Sequence, residues 1–174
     1  MKVDVADTFK KVYEKESDAI FRFCFVRVSD REQALDITQE TFMRLWKSLL
    51  DGKDILNDRA FLFTIAHRLV IDWYRKKKSL SLDKMMNDEK EKKSSYDIAD
   101  EKSLNTELGA EGRYLVKKIK ELTPTYQDPV YLRFVEGMSP KDIGKILKIS
   151  ANAASVRINR GLEELREKTG YNKK

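Results

Sequence analysis

A single cysteine, a single histidine, three prolines and seven glycines among 174 residues leave little material for several kinds of chemistry. Cys24 has no partner for an internal disulfide, which fits a reducing, cytoplasmic setting. One imidazole and one thiol cannot assemble a transition-metal cluster, and no glycine-rich phosphate loop occurs. Neither a metal nor another cofactor is therefore expected. A metal-assisted hydrolase built on His67 and Asp72 fails on spacing, because residues five apart do not share a helix face and no second histidine exists. A metal-dependent hydrolase is therefore not expected. No apolar run approaches the roughly 18 residues that span a bilayer, and the N-terminus MKVDVADTFKKVYEKE lacks a signal-peptide core. No membrane insertion is expected. Strict apolar–polar alternation is nearly absent, which speaks against strands.

What remains is charge and helical periodicity. The formal net charge is +6 and the pI about 9.2, so an anionic partner is plausible on composition. Apolar residues recur at steps of three and four over long stretches, and the expected fold class is all-α: two small helical domains joined by a flexible acidic linker, the C-terminal one a helix-turn-helix.

The first domain, expected over residues 1–78, reads as three or four helices. One uses Phe9, Val12, Tyr13, Ile20 and Cys24 on its inner side. The next begins at SDRE, where Ser29 is placed to cap and Glu32 to reach back. Its stripe of Leu35, Thr38, Phe42, Leu45 and Leu49 belongs in the core, which leaves Asp36, Gln39 and Glu40 together on the other side at i, i+3 and i+4. The third helix, FLFTIAHRLVIDWYRKKK over residues 61–78, buries Leu62, Ile65, Leu69 and Trp73. Arg68, Asp72 and Arg75 form its opposite flank. Between them runs a line of His67, Ile71, Tyr74 and Lys78, in which apolar and ring surfaces adjoin positive charge, and the helix closes on Arg75, Lys76, Lys77 and Lys78. A solvated helix end favoured by the macrodipole competes with a nucleic-acid surface as the explanation.

Residues 79–110 carry eight acidic and five basic side chains, few large apolar ones and no sustained periodicity, so a flexible linker is expected there. A polar helix pair around Met85 and Leu104 is the alternative. The second domain, over residues 111–174, holds the clearest local pattern. Ser139 as N-cap, Pro140 at the first helical position and Asp142 at the third mark the start of a short helix bearing Ile143, Ile146 and Leu147. The turn KIS and a second cap at Ser150 follow. The longer helix then directs Ala154, Ile158, Leu162 and Leu165 inward, with Asn152, Ser155, Val156, Arg157, Asn159 and Arg160 outward near its start. Arginine pairs with guanine, asparagine with adenine, and a valine methyl can lie against thymine, so this face suits major-groove base edges.

At these residues the sequence resembles the small, two-domain extracytoplasmic-function (ECF) type of bacterial sigma factor, with regions 2 and 4. DITQETFMRLW resembles the polymerase-docking helix, FLFTIAHRLVIDWYRKKK the promoter-opening helix, and LTPTYQDPVYLRFVEGMSPKDIGKILKISANAASVRINRGLEELR the C-terminal helix-turn-helix. The resemblance implies that Asp36, Gln39, Glu40 and Met43 bind core RNA polymerase. It implies minus-ten DNA contacts from His67, Arg68, Ile71, Tyr74, Arg75, Lys76, Lys77 and Lys78, and minus-thirty-five contacts from Asn152, Ala153, Ser155, Val156, Arg157, Asn159 and Arg160. Promoter DNA and core RNA polymerase are the implied partners, together with an anti-sigma factor. Where many relatives have asparagine, glycine and lysine this chain has Arg68, Lys148 and Ser155, so base preferences do not transfer from them. A dimeric helix-turn-helix regulator acting without polymerase is the competing expectation. The linker suits the sigma reading: 32 residues at about 3.3 to 3.6 Å each reach on the order of 100 Å, whereas elements about 25 base pairs apart are separated by roughly 85 Å.

Overall fold

The computed structural model describes residues 4–85 and 108–170, and the chain divides into two compact units, Met1–Glu101 and Lys102–Lys174. Among the described residues there are seven α-helices and no strand. The all-α expectation holds.

In the first unit, α1 (Val5–Val28) packs on α2 (Arg31–Leu50) and α3 (Asp58–Met85), and these two also pack on each other. The shared core is Ile20, Phe23, Cys24, Ala34, Phe42, Leu45, Leu62, Phe63, Ala66 and Val70, with Phe23 and Phe63 edge to face at 5.1 Å. Burial of such side chains contributes roughly 1.5 to 3 kcal/mol each. Tyr13, expected inside, is instead exposed.

The start of α2 differs from expectation. Ser29 ends α1 in a left-handed conformation (φ 56°), its amide donating to the Phe25 carbonyl, and Asp30 is the N-cap, accepting from the Gln33 amide at 3.0 Å. The serine is taken up by the preceding helix, so the cap shifts one residue on. The buried side of α2 is also turned: it is Ala34, Ile37, Thr38, Thr41, Phe42, Leu45 and Ser48, while Leu35 is 40% exposed. Thr38 and Thr41 enter this apolar face because each hydroxyl donates to the carbonyl four residues back, at 2.7 Å.

The N-terminus of α3 is capped by Asn57, whose side-chain oxygen accepts from the Ala60 amide at 2.9 Å. One residue inside it, Arg59 donates to Glu16 of α1, a carboxylate almost fully buried. At its other end α3 does not stop at Lys78. It runs to Met85, past the helix end expected at Lys78, because Ser79 to Met85 contain neither glycine nor proline to stop it. The remainder of the expected linker up to residue 107, with Leu104, lies outside the described residues.

The second unit contains α4 (Ala110–Lys120), α5 (Pro124–Phe134), α6 (Pro140–Leu147) and α7 (Ala151–Thr169). Helix α7 packs on α5 and α6 around Val116, Ile119, Val130, Leu132, Ile143, Ile146, Ala154 and Ile158. Leu162 and Leu165, expected inward, are half-buried; the tightest point is Gly161, where an added Cβ would lie 2.5 Å from Val130 and 3.0 Å from Tyr126. Both expected caps are present. Ser139 accepts from the Asp142 amide at 3.2 Å, and Ser150 from the Ala153 amide at 3.0 Å. Between them Lys148 closes α6 in the left-handed region (φ 56°, ψ 44°), a conformation that costs a side-chain-bearing residue roughly 1 to 2 kcal/mol relative to glycine's ease there.

Candidate polymerase and promoter surfaces

Turning Ala34 and Ile37 inward puts the other face of α2 in solvent. Asp36 and Gln39 are exposed, Met43 is 65% exposed, and Glu40 is half-exposed with its carboxylate accepting from Arg44 at 2.7 Å. All four expected docking residues therefore lie off the core. The same line continues into Trp46 and Leu50, and the edge of α1 adds Tyr13, all of them exposed. Phe9 holds this aromatic group in place: its ring meets Trp46 edge on at 5.2 Å and stacks on Tyr13 at 6.0 Å. Trp46, Leu50 and Tyr13 were absent from the expected set. For Trp46 and Leu50 the signal was their recurrence at steps of three and four from Gln39 and Met43, the same spacing that defines a core stripe; Tyr13, on α1, lies outside that pattern.

Along α3, Arg68 is exposed, Ile71 is half in solvent, and Lys76, Lys77 and Lys78 are all exposed. Arg75 pairs with Asp72 at 3.0 Å on the flank expected for both. His67 is half-buried. The two aromatics are tethered. Trp73 is half-buried rather than core, its indole N–H donating to Gln33 Oε1 of α2 at 3.1 Å, with the Lys77 ammonium 5.0 Å over its ring. Tyr74 is half-buried, lies edge on to Trp73, and its hydroxyl donates to the Arg27 carbonyl at the end of α1. Amphipathic rings explain both: apolar body against the unit, polar tip on a partner.

In α7 the buried line of Ala154, Ile158 and Gly161 fixes what points away. Asn152, Val156, Asn159 and Arg160 are exposed, and Ala153, Ser155 and Arg157 are half-exposed. The expected base-reading face is thus presented to solvent from the capped end of the helix. Three further cations, Lys141, Lys145 and Lys148, stand exposed on α6 and the turn, and were not among the expected contacts. Among the described residues no helix is long and apolar enough to cross a membrane.

Residues 12–80 match the sigma-70 region 2 family and residues 112–165 match sigma-70 region 4, in that order along one chain. The chain belongs to the ECF-type RNA polymerase sigma factors. This sigma factor is 31% identical over 171 residues to the ECF RNA polymerase sigma factor SigW of Bacillus subtilis, spanning 92% of this chain and 88% of that one. With SigX of the same organism it shares 25% over 164 residues, 92% and 83% of the two chains. Its fold is similar to that of RpoE from Bartonella quintana, solved with the anti-sigma factor NepR (TM-score 0.70, 19% identity, 95% of this chain and 99% of that chain). It is also similar to CnrH, solved with the cytosolic domain of CnrY (TM-score 0.65, 18% identity, 97% and 91%). As a sigma factor the protein binds core RNA polymerase and directs promoter-specific initiation; a stand-alone dimeric regulator is not favoured.

Proposed function

We propose that three surfaces divide the work of initiation. Residues Asp36, Gln39, Glu40 and Met43 of α2, extended by Trp46, Leu50 and Tyr13, bind core RNA polymerase. The observation that carries this assignment is the unbroken exposed line from Asp36 to Leu50, opposite a fully packed face. Apolar anchors within a polar border are the anatomy of a specific protein interface.

The second surface faces the minus-ten element through His67, Arg68, Ile71, Tyr74, Arg75, Lys76, Lys77 and Lys78. Cations follow phosphates as the strands separate, and rings or apolar side chains meet unpaired bases at roughly 1 to 3 kcal/mol per stacked base. Tyr74 has two duties in this reading, since its hydroxyl braces α3 on α1 while its ring edges the DNA side. The third surface, Asn152, Ala153, Ser155, Val156, Arg157, Asn159 and Arg160, reads the minus-thirty-five element. The polymerase and minus-ten surfaces thus fall to the first unit and the minus-thirty-five surface to the second. No chemistry is assigned to the chain itself. It acts in the cytoplasm, where polymerase is, and an anti-sigma factor is its proposed antagonist, as RpoE of the same fold was solved with one.

Run-off transcription with core polymerase and a promoter library tests the scheme. Glu40→Lys should weaken holoenzyme assembly with an unchanged thermal melt. Normal polymerase affinity in that variant would remove the docking assignment, and tight binding to duplex DNA by the chain alone would return the regulator reading.

A further inference from the structure

We propose that Gln33 is a positioning residue for promoter opening: through the Trp73 indole it sets where the Tyr74 ring and the Lys77 ammonium stand. The inference rests on the minus-ten reading of α3 and adds to that surface a residue of another helix that does not itself touch DNA.

Among the described side chains of α3, Val70 is the last that is fully buried. Trp73 and Tyr74 follow at the margin of the core, both half-buried, and from Arg75 to Leu82 every side chain is exposed. Each ring is nevertheless held at its polar tip, and by a different helix. The Trp73 N–H donates to Gln33 Oε1 of α2 at 3.1 Å, and the Tyr74 hydroxyl donates to the Arg27 carbonyl of α1. Holding two large side chains in place costs rotamer entropy. Water can serve a half-buried N–H, so the bond to Gln33 is not required to satisfy a stranded donor. What it supplies is direction.

The indole is the shared neighbour of two proposed minus-ten contacts. Tyr74 lies edge on to it, with centroids 5.0 Å apart and planes at 73°, and Lys77 Nζ stands 5.0 Å over its ring. An edge-on pair and a cation over a ring face both depend on the plane of that ring, so a turned indole would displace both partners at once. Gln33 is itself anchored, its amide donating to Asp30 Oδ1 at 3.0 Å in the first turn of α2. The chain of contacts runs from the capped end of α2, through a carboxamide and an indole, to a ring suited to an unpaired base and a cation suited to phosphate. Presetting the two together lowers the cost of ordering them as the strands part.

Holoenzyme would be assembled with Gln33→Met, which keeps the length and loses the oxygen, and with Gln33→Glu, which keeps an acceptor. Trp73→Phe, which keeps a ring without an N–H, and the double variant Gln33→Met/Trp73→Phe complete a cycle; Tyr74→Ala and Lys77→Gln are references. The probe is a duplex promoter fragment selected from a randomised library by wild-type holoenzyme. Opening is read by permanganate at a temperature well below the unfolding midpoints, where a small loss of stability alone changes nothing. Gln33→Met should lower opening about 2- to 10-fold, the factor that one hydrogen bond carries, with polymerase affinity unchanged. Gln33→Glu should retain most of the wild-type opening. In the Trp73→Phe background Gln33→Met should cost nothing more. Wild-type opening by Gln33→Met, with Tyr74→Ala and Lys77→Gln impaired, overturns the positioning role and leaves the minus-ten surface standing. An equal loss with and without the indole, or a loss in Gln33→Glu as large as in Gln33→Met, overturns the route through Trp73. If Tyr74→Ala and Lys77→Gln are also without effect, the minus-ten reading falls and the inference with it.

Discussion

Arg59→Ala should be among the most damaging single changes in the first unit that leave its apolar core untouched. The Glu16 side chain is 3% exposed and accepts from Arg59 Nη1, which joins the start of α3 to the middle of α1 across 43 positions. Removing the guanidinium leaves a carboxylate in a dry site. For a fully buried pair such a change costs about 3 to 5 kcal/mol. Arg59 is one-third exposed, so water screens part of the interaction, and about 1.5 to 3 kcal/mol is the expected range. The guanidinium also lies 5.1 Å over the Phe63 ring, adding about 0.5 kcal/mol. Lys15, 3.9 Å from the other Glu16 oxygen but 80% exposed, cannot substitute for it. At about 4 to 8 °C per kcal/mol for a unit of this size, the midpoint should fall by roughly 10 °C or more. The assay is chemical and thermal unfolding in a double-mutant cycle with Glu16→Leu. The double variant should recover much of the stability, because it removes the buried charge as well as its partner. A coupling energy below about 0.5 kcal/mol would refute the reasoning, since that is the scatter of independent sites.

Three further outcomes are expected. Tyr74→Phe keeps the ring but removes the bond to the Arg27 carbonyl, so unfolding should register a destabilisation of about 0.5 to 1.5 kcal/mol while open-complex formation persists. Neutralising Lys76, Lys77 and Lys78 should barely move the melt but flatten the salt dependence of open-complex formation, read by permanganate footprinting; an unaltered salt response would mark a merely solvated helix end. Burial pushes the Cys24 thiol up from 9.0 to about 12. The folded state then keeps a proton that the unfolded state releases, so stability is intact below pH 9 and falls as pH rises from there toward 12, by up to about 1.4 kcal/mol per pH unit. Unfolding across that window should be steeper in wild type than in Cys24→Ala.

Periodicity made the helices legible, and the helix-turn-helix most of all, because Ser139, Pro140, Asp142 and Ser150 are local signals that act within one turn. Orientation was harder. On α2 the expected stripe of Leu35, Thr38, Phe42, Leu45 and Leu49 shares three residues with the buried face, yet Leu35 faces out: Ala34 is fully buried in its place, and hydroxyls able to bond their own backbone let Thr38 and Thr41 go inside. Asp30 and Ser29 are both good capping residues, and only the end of α1 decides between them. The tethers of Trp73 and Tyr74 to Gln33 and Arg27 join residues 40 and 47 positions apart, which no local pattern encodes. The lysines of α6 carry no signal in sequence alone, because a charge on a helix surface has a solvated explanation until its neighbours are placed.

The continuation of α3 to Met85 bears on how far apart the two promoter elements can lie. A helical residue advances the chain by about 1.5 Å, against 3.3 to 3.6 Å at most for an extended one. Ser79 to Met85, expected to be free tether, therefore give up roughly 13 Å of reach, the length of about four base pairs of duplex. The slack between the two readers of the promoter is that much smaller. On the proposed division of promoter contacts, a spacer lengthened by a few base pairs should therefore weaken initiation sooner than it would with a connection extensible from Ser79 onward.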